Sequence, residues 1–260
     1  MKTDVNSHII YEDSQIIVCH KPAGIAVQSA RLGEKDMESL LKNYLATPLA
    51  QNVRTDHARK APHPKRKPSV AAPYLAVIHR LDQPVEGLLV FAKTPESAKK
   101  LNAQLTSSGF AKYYRAIVSG TPAPPEGTLE DYMVKDARTN SSHVCKRDTH
   151  GAKLARLHYK TLETYPAVSP LDNSTSLVEI KLDTGRHHQI RVQMSHLGCP
   201  LAGDRKYGAQ EPRNANGTAV SKHTGAQEPL KKAGPLRLCA YRLEFRHPRD
   251  GRRMVFELPE

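Results

Sequence analysis

The chain contains no tryptophan and only four phenylalanines, and aromatic residues fill just 5% of its 260 positions. Apolar residues of all kinds reach 38%, less than a typical globular domain carries. A chain of this length can still bury a full core, so the shortfall is read as a real core interrupted by polar, loosely packed insertions. No apolar run approaches the roughly 18 residues needed to cross a bilayer, and the N-terminus lacks the apolar centre of a secretory signal. A soluble, cytoplasmic protein, active as a monomer, is the expectation. Close cysteine pairs are missing too. Cys19, Cys145, Cys199 and Cys239 are scattered, with no CxxC among them, which argues against a zinc cluster and for reduced, packed thiols.

Negative charge is also scarce. Against 26 acidic residues stand 39 lysines and arginines, for a net charge of +13. Such a surface concentrates polyanions and speeds their encounter. Nucleic acid is the first candidate partner and an anionic membrane the second, but no basic amphipathic helix stands out to favour the membrane. Charge that merely keeps the protein soluble is the plainer alternative.

Along the chain, β-branched runs at Ile9-Ile10-Tyr11 and Ile16-Ile17-Val18-Cys19 flank a polar turn and predict a hairpin. Lys21-Pro22-Ala23-Gly24 marks a tight turn with one cation. Residues Met37 to Tyr44 carry apolar positions at helical spacing. From 46 to 73 five prolines and a concentration of Lys and Arg predict a basic loop insertion without regular structure, and 209–235, poor in apolar residues, predicts a second insertion. Between them, Leu75–Ile78 reads as a short strand and Gly87–Lys93 as a buried one. Thr94 followed by Pro95 opens a helix, which Gly109 is expected to end. Strands are expected at 112–118, 155–165, 176–182, 238–245 and 254–258, a hairpin decoration within 121–150, and a helix starting near His187.

The short strand at 75–78 delivers His79-Arg80-Leu81-Asp82. A carboxylate at a strand end before a bend can project into a cleft, yet Asp82 taken alone reads as a turn cap. Its company changes that. His79-Arg80-Leu81-Asp82 with Gly87-Leu88-Leu89-Val90-Phe91-Ala92-Lys93-Thr94 resembles the signature of the RluA-type pseudouridine synthases. Further matches follow in that family's order: Tyr11-Glu12-Asp13 through Lys21-Pro22-Ala23-Gly24, Lys112-Tyr113-Tyr114-Arg115-Ala116, and Gly185-Arg186-His187-His188-Gln189-Ile190-Arg191-Val192. Gly203-Asp204 with Tyr207-Gly208, and Leu238 to Leu243 with His247-Pro248, complete the series.

The resemblance implies an α/β fold: a mixed, largely antiparallel central sheet with flanking helices, forming one catalytic domain over residues 1–260 with the two insertions inside it. It implies conversion of uridine to pseudouridine in ribosomal or transfer RNA. That is a net isomerisation, so no redox cofactor and no metal are required. Asp82 would be the nucleophile or stabiliser of the sugar cation, a role for an ionised carboxylate. Arg191 would pair with Asp82, keep it charged and aim it. Tyr114 would pack on the target base and take part in proton transfer at C5. A stacked uridine must be flipped out to be reached. Arg80 is the candidate to fill the space it leaves, and His79 to brace that loop. Lys21, Arg186 and His188 are the remaining RNA-binding candidates, Lys21 and Arg186 through phosphates.

Two departures from the family pattern stand out. Val85-Glu86 replaces the usual Thr-Ser before the glycine, which is expected to alter the turn behind Asp82. No separate N-terminal RNA-binding extension is expected before the motifs, so RNA affinity is expected from the domain surface and its basic insertions. Two rival readings remain. One is an RNA-binding protein that keeps the fold without the reaction. The other is a metal hydrolase built on His187, His188 and His196, which is weak because adjacent histidines on a helix point apart.

Overall fold

In a computed structural model of the chain, residues 8–29, 31, 33–47, 73–107, 109–167, 174–208 and 234–259 are described. The proposed insertions at 46–73 and 209–235 therefore lie almost wholly outside the described residues. The chain divides into two compact units, one within Met1–Ala111 and Ala240–Glu260, the other within Lys112–Cys239.

In the first unit, β1 (Ile9–Glu12) and β2 (Ile16–Lys21) form the expected hairpin. Asp13 shapes its turn by accepting the amides of Gln15 and Ile16 at 2.7 and 2.9 Å. The two-residue β3 (Ala76–Val77) and β2 both pair antiparallel with β4 (Glu86–Ala92). β4 is buried from Gly87 to Ala92, which is why it reads as one apolar run with no alternation. Helix α1 (Met37–Leu45) is capped by Asp36, which accepts the Ser39 amide at 2.7 Å. Helix α2 (Pro95–Thr106) is capped by Thr94, which accepts the Ser97 amide at 3.1 Å. It ends at Ser107, not at Gly109.

In the second unit, β5 (Ala111–Ser119), β9 (Thr175–Leu182), β8 (Lys153–Tyr165), β6 (Glu126–Asp136) and β7 (Ser141–Cys145) follow one another as antiparallel neighbours. The expected decoration at 121–150 is thus a structural part of this sheet. Eight residues of β6, Glu126 to Met133, register against β8, and β7 pairs the far end of β6. Helix α3 (Gln189–His196) lies in this unit.

The last strands are β10 (Leu238–Arg246), whose residues from Ala240 onward belong to the first unit, and β11 (Arg253–Glu257), its antiparallel partner. The first unit closes around Ile16, Val18, Leu88, Val90, Leu101 and Phe245. Gly87 is required there. It holds φ +136, and a Cβ on it would sit 2.5–2.6 Å from atoms of Ala240. Among the described residues, three helices and a largely antiparallel set of strands make this an α/β protein.

Candidate functional site

The Asp82 loop is held by a buried cation. Lys21, at the end of β2, registers opposite Gly87 at the start of β4 and is 0% exposed. Its ammonium donates to three backbone carbonyls: Pro22 at 3.1 Å, Ile25 at 2.7 Å and Gln83 at 3.0 Å. The Gln83 carbonyl also accepts the Gly24 amide at 2.8 Å, and the Gln83 side chain returns a bond to the Gly24 carbonyl at 3.1 Å. The residue after Asp82 is therefore tied to the 22–25 turn, while the Asp82 backbone carbonyl closes a turn by accepting the Val85 amide at 3.0 Å. Val85 is buried and Glu86 exposed. This overturns the expectation that Lys21 contacts phosphates. A fully buried ammonium saturated by three carbonyls has nothing left to offer a solvent-side anion. Burial pulls the Lys21 pKa down to about 8, against the attraction of Asp82 and Glu86. Its charge and that of Asp82 attract.

The flanking residues take different places. His79 is 9% exposed, its ring edge-on to Phe110 at 5.5 Å, and its Nε2 accepts the Val90 amide at 3.4 Å. Arg80 is exposed and hydrogen-bonds the Gln28 side chain.

In the second unit, Tyr114 lies on β5 in the buried row with Ala116 and Val118, at 5% exposure, while Tyr113 faces the other way. Arg191 sits on α3 and is gripped by Asp204, Nε to Oδ2 at 2.7 Å and Nη2 to Oδ1 at 2.9 Å. Its guanidinium also lies over the Tyr207 ring at 5.0 Å. Burial alone would raise the Asp204 pKa. The Arg191 guanidinium and the amides of Lys206 and Tyr207 outweigh it and hold the carboxyl below its ordinary range. The role of Asp204 as an anchor for Arg191 was missed in the sequence, where Gly203-Asp204 reads only as a turn.

One sequence expectation about the histidines needs correcting. Helix α3 starts near His187 as expected, at Gln189, with His188 as its N-cap in the left-handed region at φ 55. The preceding turn is fixed by the Gln189 side chain, whose Oε1 accepts the Thr184 hydroxyl at 2.8 Å and the Arg186 amide at 3.0 Å. Freed from helical geometry, the His187 and His188 rings do not point apart. They stack with centroids 3.7 Å apart. His187 Nδ1 meets the Ser142 hydroxyl at 2.9 Å, and His188 Nδ1 meets the Tyr207 hydroxyl at 2.7 Å. Burial, joined by Lys135, Lys206 and Arg191, pulls the His187 pKa to about 4; burial, with Arg191, His187 and Lys206, pulls His188 to about 3. Both are neutral near pH 7. Arg186 is half-buried and donates Nε–H to the Leu154 carbonyl at 2.7 Å.

Among the described residues, no three His, Cys, Asp or Glu side chains gather as a metal site, and no helix is long and apolar enough to cross a membrane.

Two solved human structures share this fold. RNA pseudouridylate synthase domain containing 4 aligns over 98% of this chain and 89% of its own, at TM-score 0.64 and 24% identity. RNA pseudouridylate synthase domain containing 1 aligns over 97% and 83%, at TM-score 0.61 and 20% identity. The fold is that of the pseudouridylate synthases. The sequence is more specific: a family model described as RNA pseudouridylate synthase matches residues 15–196, and the chain belongs to that family. Ribosomal large subunit pseudouridine synthase D of Neisseria meningitidis is 34% identical over 96% of this chain, which spans 57% of that relative. The protein of the same name from Pseudomonas aeruginosa is 33% identical over 98% of this chain, which spans 69% of it. Both relatives are named as pseudouridine synthases of the ribosomal large subunit.

Proposed function

We propose that the protein isomerises uridine to pseudouridine in large-subunit ribosomal RNA, working in the cytoplasm, with both units serving one catalytic domain. The observation that carries this is the Asp82 loop of a family member: a turn carboxylate attracted by a buried ammonium that holds the backbone of the next residue. The relatives' names favour ribosomal over transfer RNA.

The reaction breaks the bond between ribose C1′ and uracil N1, turns the base, and forms a bond from C1′ to C5. The proton leaves C5 and N1 gains one, so atoms and electrons balance without a redox partner. Asp82 would attack or stabilise the electron-poor centre, as an ionised carboxylate can. Tyr114 and Arg191 are the further catalytic residues in this reading, Tyr114 against the flipped base and Arg191 as the cation that keeps the carboxylate charged. Arg80 would enter the space the base leaves, with Arg186 and His188 on the RNA side.

The test is tritium release from RNA labelled at uridine C5. Wild-type protein should release tritium from large-subunit ribosomal RNA, and Asp82→Asn should release none above background. No release by the wild type from any cellular RNA would falsify the enzyme reading, and full release by Asp82→Asn would remove the nucleophile.

A further inference from the structure

The second unit carries a cleft of about 400 Å³, bounded by β6, β7, the start of β8 and the 185–187 turn. Lys135, Ser142, His150, Lys153, Arg186 and His187 are among its lining residues, and among the described residues no Asp or Glu lines it. Lys135 and Lys153 are exposed. Arg186 is oriented by its Nε bond to Leu154, and among the described residues its two terminal amino groups have no hydrogen-bond partner. The nearest carboxylate in sequence, Asp136, is engaged by its own turn. It accepts the Arg138 amide and the Thr139 hydroxyl, each at 2.8 Å. The low His187 pKa reports the same field, since burial and then Lys135, Lys206 and Arg191 disfavour its protonation.

A further cation lies close by. A Cβ on Gly185 would come within 3.4 Å of Lys112 Nζ. Lys112 is depressed in pKa by burial alone, and among the described residues no carboxylate compensates it. Partly desolvated cations without anionic partners favour an incoming anion. Backbone phosphates are the anions a polynucleotide presents in series, and fixed guanidinium and mobile ammonium groups are the side chains that take them.

The geometry points to this cleft as a seat for the RNA backbone, its phosphates held by Lys135, Lys153 and Arg186. The inference rests on the proposed RNA substrate and adds to it a specific contact surface. Such contacts fix the position and orientation of an RNA without reading its sequence, and the cleft would therefore set how the substrate lies rather than which base reacts.

The experiment measures binding of a fluorescein-labelled, uridine-containing stem–loop RNA to the full chain across a salt series, with tritium release followed in parallel. Both lysines are exposed, so Lys135→Ala/Lys153→Ala should fold normally, which its thermal midpoint checks. This variant should bind several-fold more weakly, and the slope of log Kd against log salt should fall by about 1 for each lysine lost. The control Lys99→Ala/Lys100→Ala removes the same charge from an exposed stretch of α2 and should leave the slope unchanged. Equal slopes for wild type and cleft variant, or an equal fall in the control, would overturn the proposal. If the wild type shows the cleft-dependent slope yet releases no tritium, the isomerase reading fails and the cleft stands. If it releases tritium while the cleft variant binds normally, the cleft fails and the isomerase reading stands.

Discussion

Arg191 and Asp204 meet through two hydrogen bonds, 2.7 and 2.9 Å long, with side chains only 8% and 0% exposed. Two-point geometry fixes a planar guanidinium in direction as well as position. The Lys206 and Tyr207 amides hold Asp204 in turn, at 2.9 and 3.1 Å. The turn at 203–208 thus acts as a socket for the arginine of α3.

Asp204→Asn should therefore be costly. It keeps the shape and leaves the buried Arg191 without its counter-charge, and breaking such a pair costs about 3–5 kcal/mol. The effect should depend on pH in a definite direction. The folded Asp204 pKa lies below the unfolded value, so its stabilisation is full above about pH 4 and is lost as pH falls through the folded value. Urea unfolding should show a large deficit for the variant at pH 7 that shrinks below pH 4. A deficit that is small at pH 7, or constant across that range, would show that Asp204 does not anchor Arg191 as a charge.

Lys21 should matter to both the loop and the reaction. Lys21→Met strands the carbonyls of Pro22 and Ile25, at about 1–3 kcal/mol each, and removes a positive neighbour of Asp82. The acid limb of the pH–rate profile should move to higher pH in Lys21→Met, because the carboxylate loses a charge that favours its ionised form. Stability should respond in the alkaline range. The folded Lys21 pKa is about 8 and the unfolded value about 10.4, so between them the unfolded chain binds more protons and wild-type stability gains with pH. Relative to Lys21→Met, the wild-type urea midpoint should rise from pH 8 to pH 10. An unmoved acid limb would mean that the ammonium serves the backbone alone.

What the sequence made legible, and what it hid, follows from the range of the interactions involved. β4 and α2 were readable because their signals are local: a run buried on both faces, and a Thr-Pro start whose cap reaches three residues. Strand alternation put Tyr113 and Tyr114 on opposite faces, and the register of the family motif chose Tyr114 as the inward one. Lys21 was misread because Lys-Pro-Ala-Gly looks like a surface turn, and its third carbonyl comes from Gln83, 62 residues away. The socket for Arg191 was hidden for the same reason, its partner lying 13 residues on and outside the helix. The histidine stack was missed because a non-glycine residue with positive φ cannot be foreseen from helical spacing. The β6–β7 segment read as decoration because its strands are half-exposed and alternate weakly.

The stacked histidines make the second unit sensitive to acid. His187 and His188 titrate near pH 4 and pH 3 in the fold, against about 6.5 when unfolded. As pH falls below 6.5 the unfolded chain takes up protons that the folded chain refuses, so stability falls with acidification. The decline should begin well above the range where Asp204 protonates, and so be separable from it. Replacing His187 by Asn keeps a polar group near Ser142 without the ionisation. His187→Asn should then lose less stability than wild type between pH 7 and pH 5, whatever its absolute stability at pH 7. Parallel urea midpoints for the two proteins over that interval would show that the ring is protonated as readily in the fold as outside it, and that the cations around the cleft do not act on it.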